Sequence, residues 1–92
     1  MPRFYFDLVL DAFTSRDEVG YEIDSLPMAE LEARRTAGEL TRDRLILWQG
    51  ATSEDIRVEV KDEQRQPVLT VTVAIQVDRQ VDRAALTPPY AM

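Results

Sequence analysis

The sequence predicts an α+β protein of two layers, one helix packed on an antiparallel sheet of three to four strands in β(β)αββ order. Three observations carry that expectation. Apolar residues alternate with period two at the start of the chain and again beyond residue 55. Between these stretches a single apolar stripe recurs at helical spacing, and short polar segments punctuate the boundaries. Period two marks a half-buried strand and period 3.6 an amphipathic helix, and strands flanking one helix close most simply as a sheet covered on one face.

From Arg3 to Asp11, Phe4, Phe6, Leu8 and Leu10 point to one side, while Tyr5, Asp7 and Val9 point to the other. The segment from Ala12 to Gly20 is polar and reads as turn, with Asp17-Glu18-Val19-Gly20 suited to a type I turn closed by a left-handed glycine. Tyr21-Glu22-Ile23 is then a short returning strand. A helix follows, with Pro27 in its first turn, where a missing N–H is harmless, and Asp24 or Ser25 as the cap. Leu26, Ala29, Ala33, Thr36, Ala37 and Leu40 make its buried stripe, and Glu30–Arg34 and Arg35–Glu39 are pairs four apart on the other face. Arg44 falls on the apolar stripe, so the regular helix is expected to fray near Asp43. Leu45, Leu47 and Trp48 then pack in another geometry, Trp48 closing the core at the helix end, with Gly50 as the stop and 51–54 as loop.

Two strands complete the fold. Ile56, Val58 and Val60 alternate with Arg57, Glu59 and Lys61, and Pro67 opens a last strand whose Leu69, Val71, Val73, Ile75 and Val77 share one face. Asp62-Glu63-Gln64-Arg65 turns the chain between them as a hairpin. Residues 1–83 form one domain, and the aperiodic stretch 84–92, with its Pro88-Pro89, is a tail.

Composition narrows the chemistry. The 92 residues fit one domain with a thin core, and 45% apolar content is ordinary for a globular chain. With no Cys and no His, disulfides, thiol nucleophiles, thiolate metal sites and imidazole bases are all excluded. Ser15, Ser25 and Ser53 lack a partner base, no Gly-x-Ser-x-Gly elbow occurs, and three glycines form no phosphate loop. No enzyme activity and no cofactor is expected. The acidic doublets Asp17-Glu18, Glu54-Asp55 and Asp62-Glu63 sit in turn or strand-end positions and follow no calcium-loop spacing. Seventeen acidic against 11 basic side chains give a net charge of −6, which repels phosphate backbones, so no nucleic-acid binding is expected. No run is long enough for a membrane span, and Met1 to Phe13 reads as a strand rather than a signal peptide, which leaves the cytoplasm as the expected location.

The opening Met1-Pro2-Arg3-Phe4-Tyr5-Phe6-Asp7-Leu8 resembles the start of a small bacterial family whose members begin Met-Pro-Arg-Tyr-Phe-Phe-Asp/His-Leu. The turn Asp17-Glu18-Val19-Gly20, the Leu26-Pro27 helix start with Ala33 and Ala37, and the hairpin from Val58 to Val71 are similar to that family over roughly residues 1–79. The family is catalogued as a domain of unknown function, so the resemblance implies a fold and a bacterial origin and transfers no site residue. The chain departs from it at Arg65, where the family often has glycine. A non-glycine residue in a left-handed conformation costs ~1 kcal/mol, so that turn is either strained or of another geometry. A second departure is Met28-Ala29, where Asp or Ser with Leu is common.

One helix covers one face of the sheet and leaves the other open. The open face predicts an interaction site made by Tyr5, Val9, Arg57, Thr70, Thr72 and Ala74. The function expected is a non-enzymatic protein-interaction or regulatory module associating through this face or an edge strand, with a protein partner or as a homodimer. Two alternatives stand beside it: an antitoxin-like acidic inhibitor of a basic partner, and a carboxylate-dependent enzyme or small-ligand binder.

Overall fold

Alternation at the start of the chain produces β1, Arg3–Leu10, whose Phe4, Phe6 and Leu10 are buried beneath the helix. The computed structural model describes residues 1–11, 13–47 and 52–78. Trp48, Gly50 and the tail 84–92 lie outside the described residues.

Beyond β1 the chain turns at once, Leu10 and Phe13 exchanging backbone hydrogen bonds of 2.9 and 3.3 Å. The return is split into β2, Thr14–Ser15, and β3, Tyr21–Glu22, both antiparallel to β1 on the same edge. β3 is the short returning strand expected from the sequence, whereas β2 corrects the reading of 12–20 as turn throughout. Ser15 and Thr14 are exposed and carry no apolar alternation, so only the tight turn behind them places them in the sheet.

The helix α1, Leu26–Leu47, starts where Ser25 caps it: its hydroxyl accepts the Met28 N–H at 3.4 Å and its carbonyl the Ala29 N–H at 3.0 Å. Ala29, Ala33 and Ala37 are the buried residues of the helix, and their small side chains let it lie close over Val58 and Val60. The helix does not fray at Asp43 but runs to Leu47, leaving Leu45 and Leu47 exposed rather than packed. The sequence reading treated Arg44 as an intruder on the apolar stripe. In the fold its guanidinium donates to the buried Glu54 carboxylate at 3.1 Å, so the charge is matched and the helix continues. Glu30–Arg34 forms at 2.6 Å as expected, but Arg35 pairs with Glu32 at 3.4 Å instead of Glu39.

β4, Thr52–Lys61, begins inside the stretch expected as loop and pairs with both β1 and β5, Pro67–Val77. Its Ile56, Val58 and Val60 are fully buried, each worth ~1.5–3 kcal/mol of apolar burial, and form the centre of the core. The order is β2-β1-β4-β5 with β3 beside β2 on β1, a five-stranded sheet. Two core clusters follow the helix: Phe4, Phe6, Val58 and Val60 under the alanines, and Leu10, Ile56 and Ile75 further along with Leu40 against them. The architecture is the expected α+β sandwich of one helix on one antiparallel sheet.

Candidate functional site

The register places the open face of the sheet residue by residue. Val9 lies opposite Arg57, and Arg57 opposite Thr72, so these three form one row across β1, β4 and β5. Thr70 stands opposite Glu59 and Ala74 opposite Asp55. Arg57, Thr70, Thr72 and Ala74 are exposed and Val9 is half-buried. Five of the six predicted residues therefore share one patch. Tyr5 is on the same face but opposite Lys61, at the hairpin end, and its ring is already covered by the Arg65 guanidinium at 3.9 Å.

The hairpin end of this face is a connected polar network. Asp7, buried on β1, accepts Lys61 Nζ at 2.8 Å through one carboxylate oxygen and the Asp17 N–H at 2.9 Å through the other. Burial pushes the Asp7 carboxyl up, but the Lys61 hydrogen bond, the Asp17 N–H and the Lys61 and Arg16 charges outweigh it and hold Asp7 below the usual carboxylate range. Asp17 in turn accepts three backbone N–H groups, from Phe6 at 3.1 Å, Val19 at 3.1 Å and Gly20 at 2.9 Å. Arg65 donates to the Asp17 carbonyl at 3.0 Å.

This network closes the β1 edge. Between the β2 and β3 pairings, three residues of β1 (Tyr5, Phe6 and Asp7) face five on the return (Arg16 to Gly20). A regular ladder is impossible there, and the Asp17 side chain supplies the acceptor that Phe6 would otherwise lack. Gly20 is required at the exit from this excursion. Its φ is +77°, and a Cβ would come within 2.9 Å of Arg3 Cγ and Tyr5 Cε1 and 3.0 Å of the Phe4 carbonyl. Arg65, with φ 61°, sits in the left-handed position after the hairpin turn, where Asp62 accepts from Gln64 and Gln66 and the Arg65 N–H bonds the Asp62 carbonyl. The strain foreseen for this departure from glycine is real, and the guanidinium contacts to Tyr5 and Asp17 compensate it.

The β5 edge has no such closure. Among the described residues β5 is bonded to β4 alone, and from Val68 to Val77 it carries no charged residue. Sequence reasoning names the side chains on the face and an edge strand, but not which edge. The run is visible as twelve consecutive uncharged residues, Gln66 to Val77, in a chain that is 30% charged.

A cleft of about 470 Å³ opens on the helix side of the β1 edge, floored by Phe6, Leu8 and Tyr21 and bordered by Arg16, Glu18 and Glu32. Its charged groups are matched to one another or to the helix, Arg16 to Glu18 at 3.7 Å and Glu32 to Arg35. The acidic doublets are likewise engaged: Glu54 by Arg44, Asp17 and Asp62 by backbone N–H groups. Among the described residues no three acidic side chains gather as a metal site, and no helix is long and apolar enough to cross a membrane.

Fold and surface together define a two-layer α+β domain whose sheet, among the described residues, has one face under a helix, the other face uncovered and β5 bonded on one side only. The chain belongs to a family described as a domain of unknown function, DUF6894, whose profile matches residues 3–74 of the 92. No curated protein and no solved structure matches it.

Proposed function

We propose that this domain is a non-enzymatic protein-interaction module that associates through the open sheet face and the β5 edge. The observation that supports the reading most is the contrast between that edge and ordinary edge strands. Natural sheets blunt their edges with charges, bulges or very short strands, because an exposed row of N–H and C=O groups recruits another strand. Here Pro67 and a register shift blunt only the start of the edge, and Leu69 to Val77 is left uncharged and regular, with exposed Thr70, Thr72 and Ala74. The patch is neutral on β5 and mixed on β4, where Arg57 and Glu59 pair at 3.5 Å.

Thr72→Arg is the test, because the residue is exposed and its replacement leaves the core untouched. The purified wild-type chain and the variant are compared by light scattering after size exclusion, and by tagged capture from a bacterial lysate. Association present in the wild type and absent in Thr72→Arg, at unchanged melting temperature, supports the reading. Equal association by both chains contradicts it.

A further inference from the structure

We propose that the β5 edge is occupied by β5 of a second copy of this chain, the two strands running antiparallel about a two-fold axis at Thr72. The inference rests on the interaction-module reading above and specifies its partner. It joins two five-stranded sheets into one continuous sheet with a helix from each copy on the same side.

The self-complementarity of β5 carries the argument. Thr72 is the midpoint of Pro67–Val77, so an axis there pairs Leu69 to Ile75 in regular register, clear of the irregularity that sets Pro67 opposite Lys61 at the hairpin end. Val71 then meets Val73 of the second copy and Leu69 meets Ile75, all on the helix side. Thr72 meets Thr72 and Thr70 meets Ala74 on the outer side. Every pair keeps its face, as strand pleating demands, and none brings two charges together. A two-fold interface requires one patch to fit itself, and this strand does.

Charge selects a copy of the chain by the same route. Two chains of net charge −6 repel, and they meet favourably only where the surface is neutral. Val68 to Val77 is such a surface, whereas both β1 and β4 carry charged side chains on their outer faces. The apolar layer also stops unsealed at this edge. Leu69, Val71, Val73 and Val77 are only half-buried in the single chain although they belong to the helix-side face, and pairing β5 with β5 continues that face across the axis.

The chain contains no cysteine, so single introduced thiols report proximity without background. Residues facing each other across an antiparallel pair have Cα atoms ~4.5–5.5 Å apart, inside the range a disulfide spans. Thr70→Cys, Thr72→Cys, Ala74→Cys and Val9→Cys are oxidised mildly at ~100 μM, about a hundredfold above a micromolar Kd. The expected result is a covalent dimer from Thr72→Cys, forming at least ~10-fold faster than from the other three, since thiolate attack needs direct access. The wild-type chain should show twice its 10.6 kDa mass, with association strengthening as salt screens the like charges. Preferential crosslinking through Val9→Cys, or through Thr70→Cys or Ala74→Cys, overturns the axis at Thr72. A monomeric wild type that still captures a different protein lost in Thr72→Arg overturns the second copy while the interaction-module reading survives. Monomeric mass with no Thr72-dependent capture overturns both.

Discussion

The two edges of this sheet differ in how their backbone groups are satisfied, although both flank the same core. On the β1 side the return strand is broken into two pairs of residues, and the gap is filled by the Asp17 carboxylate and tied down by Asp7, Lys61 and Arg65. On the β5 side a strand of 11 residues, irregular where Pro67 falls opposite Lys61, ends the sheet with no charge along Val68–Val77. A carboxylate can close an edge because it accepts several N–H groups at once and is strengthened by a nearby cation. An edge without such a device offers its N–H and C=O groups as a template for another strand. The β1 side is closed by the chain itself and the β5 side is the proposed site of association, so substitutions on each side should separate the two.

The largest effect is expected from Asp17→Ala, which removes the acceptor of three N–H groups and the donor geometry seen by Asp7. Charge-assisted hydrogen bonds contribute ~1.5–3 kcal/mol each and are not additive, so a loss of about 3 kcal/mol in urea unfolding is expected. Association through β5 should persist in whatever fraction remains folded. A loss below about 1 kcal/mol would show that the β1 edge is closed by other means.

Gly20→Ala comes next. The left-handed φ costs ~1–2 kcal/mol for an L-residue, and contact with the Phe4 carbonyl adds to it because backbone cannot step aside. A melting-temperature decrease of several degrees is expected, ~4–8 °C per kcal/mol for a domain of this size.

Lys61→Met changes the pH dependence as well as the stability. In the wild type the folded Asp7 carboxyl lies below its unfolded value. Its contribution is therefore fully present above the unfolded pKa near ~4 and is lost as pH falls through the folded pKa. Without Lys61 burial, which raises the pKa, is opposed only by the Asp17 N–H and the Arg16 charge. The stability gained as pH rises through the Asp7 titration should then be smaller than in the wild type. Urea midpoints at acidic and neutral pH measure this, and an unchanged pH profile would remove Asp7–Lys61 from the account.

Arg65 gives the smallest and most discriminating effect. Arg65→Gly relieves a left-handed φ worth ~1 kcal/mol but loses the Tyr5 stacking, worth ~0.5–1 kcal/mol, and the bond to the Asp17 carbonyl. The two nearly cancel. Arg65→Ala keeps the strain and loses the contacts, so it should be the less stable of the two by about 1 kcal/mol.

Most of the fold was legible because its signals are local. Alternation in β1, β4 and β5, the alanine spacing of α1 and the Asp17–Gly20 turn were each readable from a few neighbouring residues. What escaped depends on partners distant in sequence. The helix passes Asp43 because Glu54 on β4 meets Arg44, and Thr14–Ser15 joins the sheet because the chain turns tightly after Leu10. The predicted patch gathered Val9, Arg57, Thr70, Thr72 and Ala74 correctly on one face, since period two fixes the face. Tyr5 shares that face, and only the Arg65 guanidinium over its ring, 60 positions along the chain, leaves no mark on local pattern. The β5 edge itself could not be read without strand order, which side-chain alternation does not encode.

Hydrogen–deuterium exchange across a dilution series tests the contrast between the edges most directly. The Phe6 N–H, held by Asp17, should be protected equally at every protein concentration. Protection of β5 amides between Val68 and Val77 should rise with concentration and fall to edge-strand levels on dilution. Concentration-independent exchange throughout β5, or a Phe6 amide that exchanges as fast as an exposed one, would contradict the account.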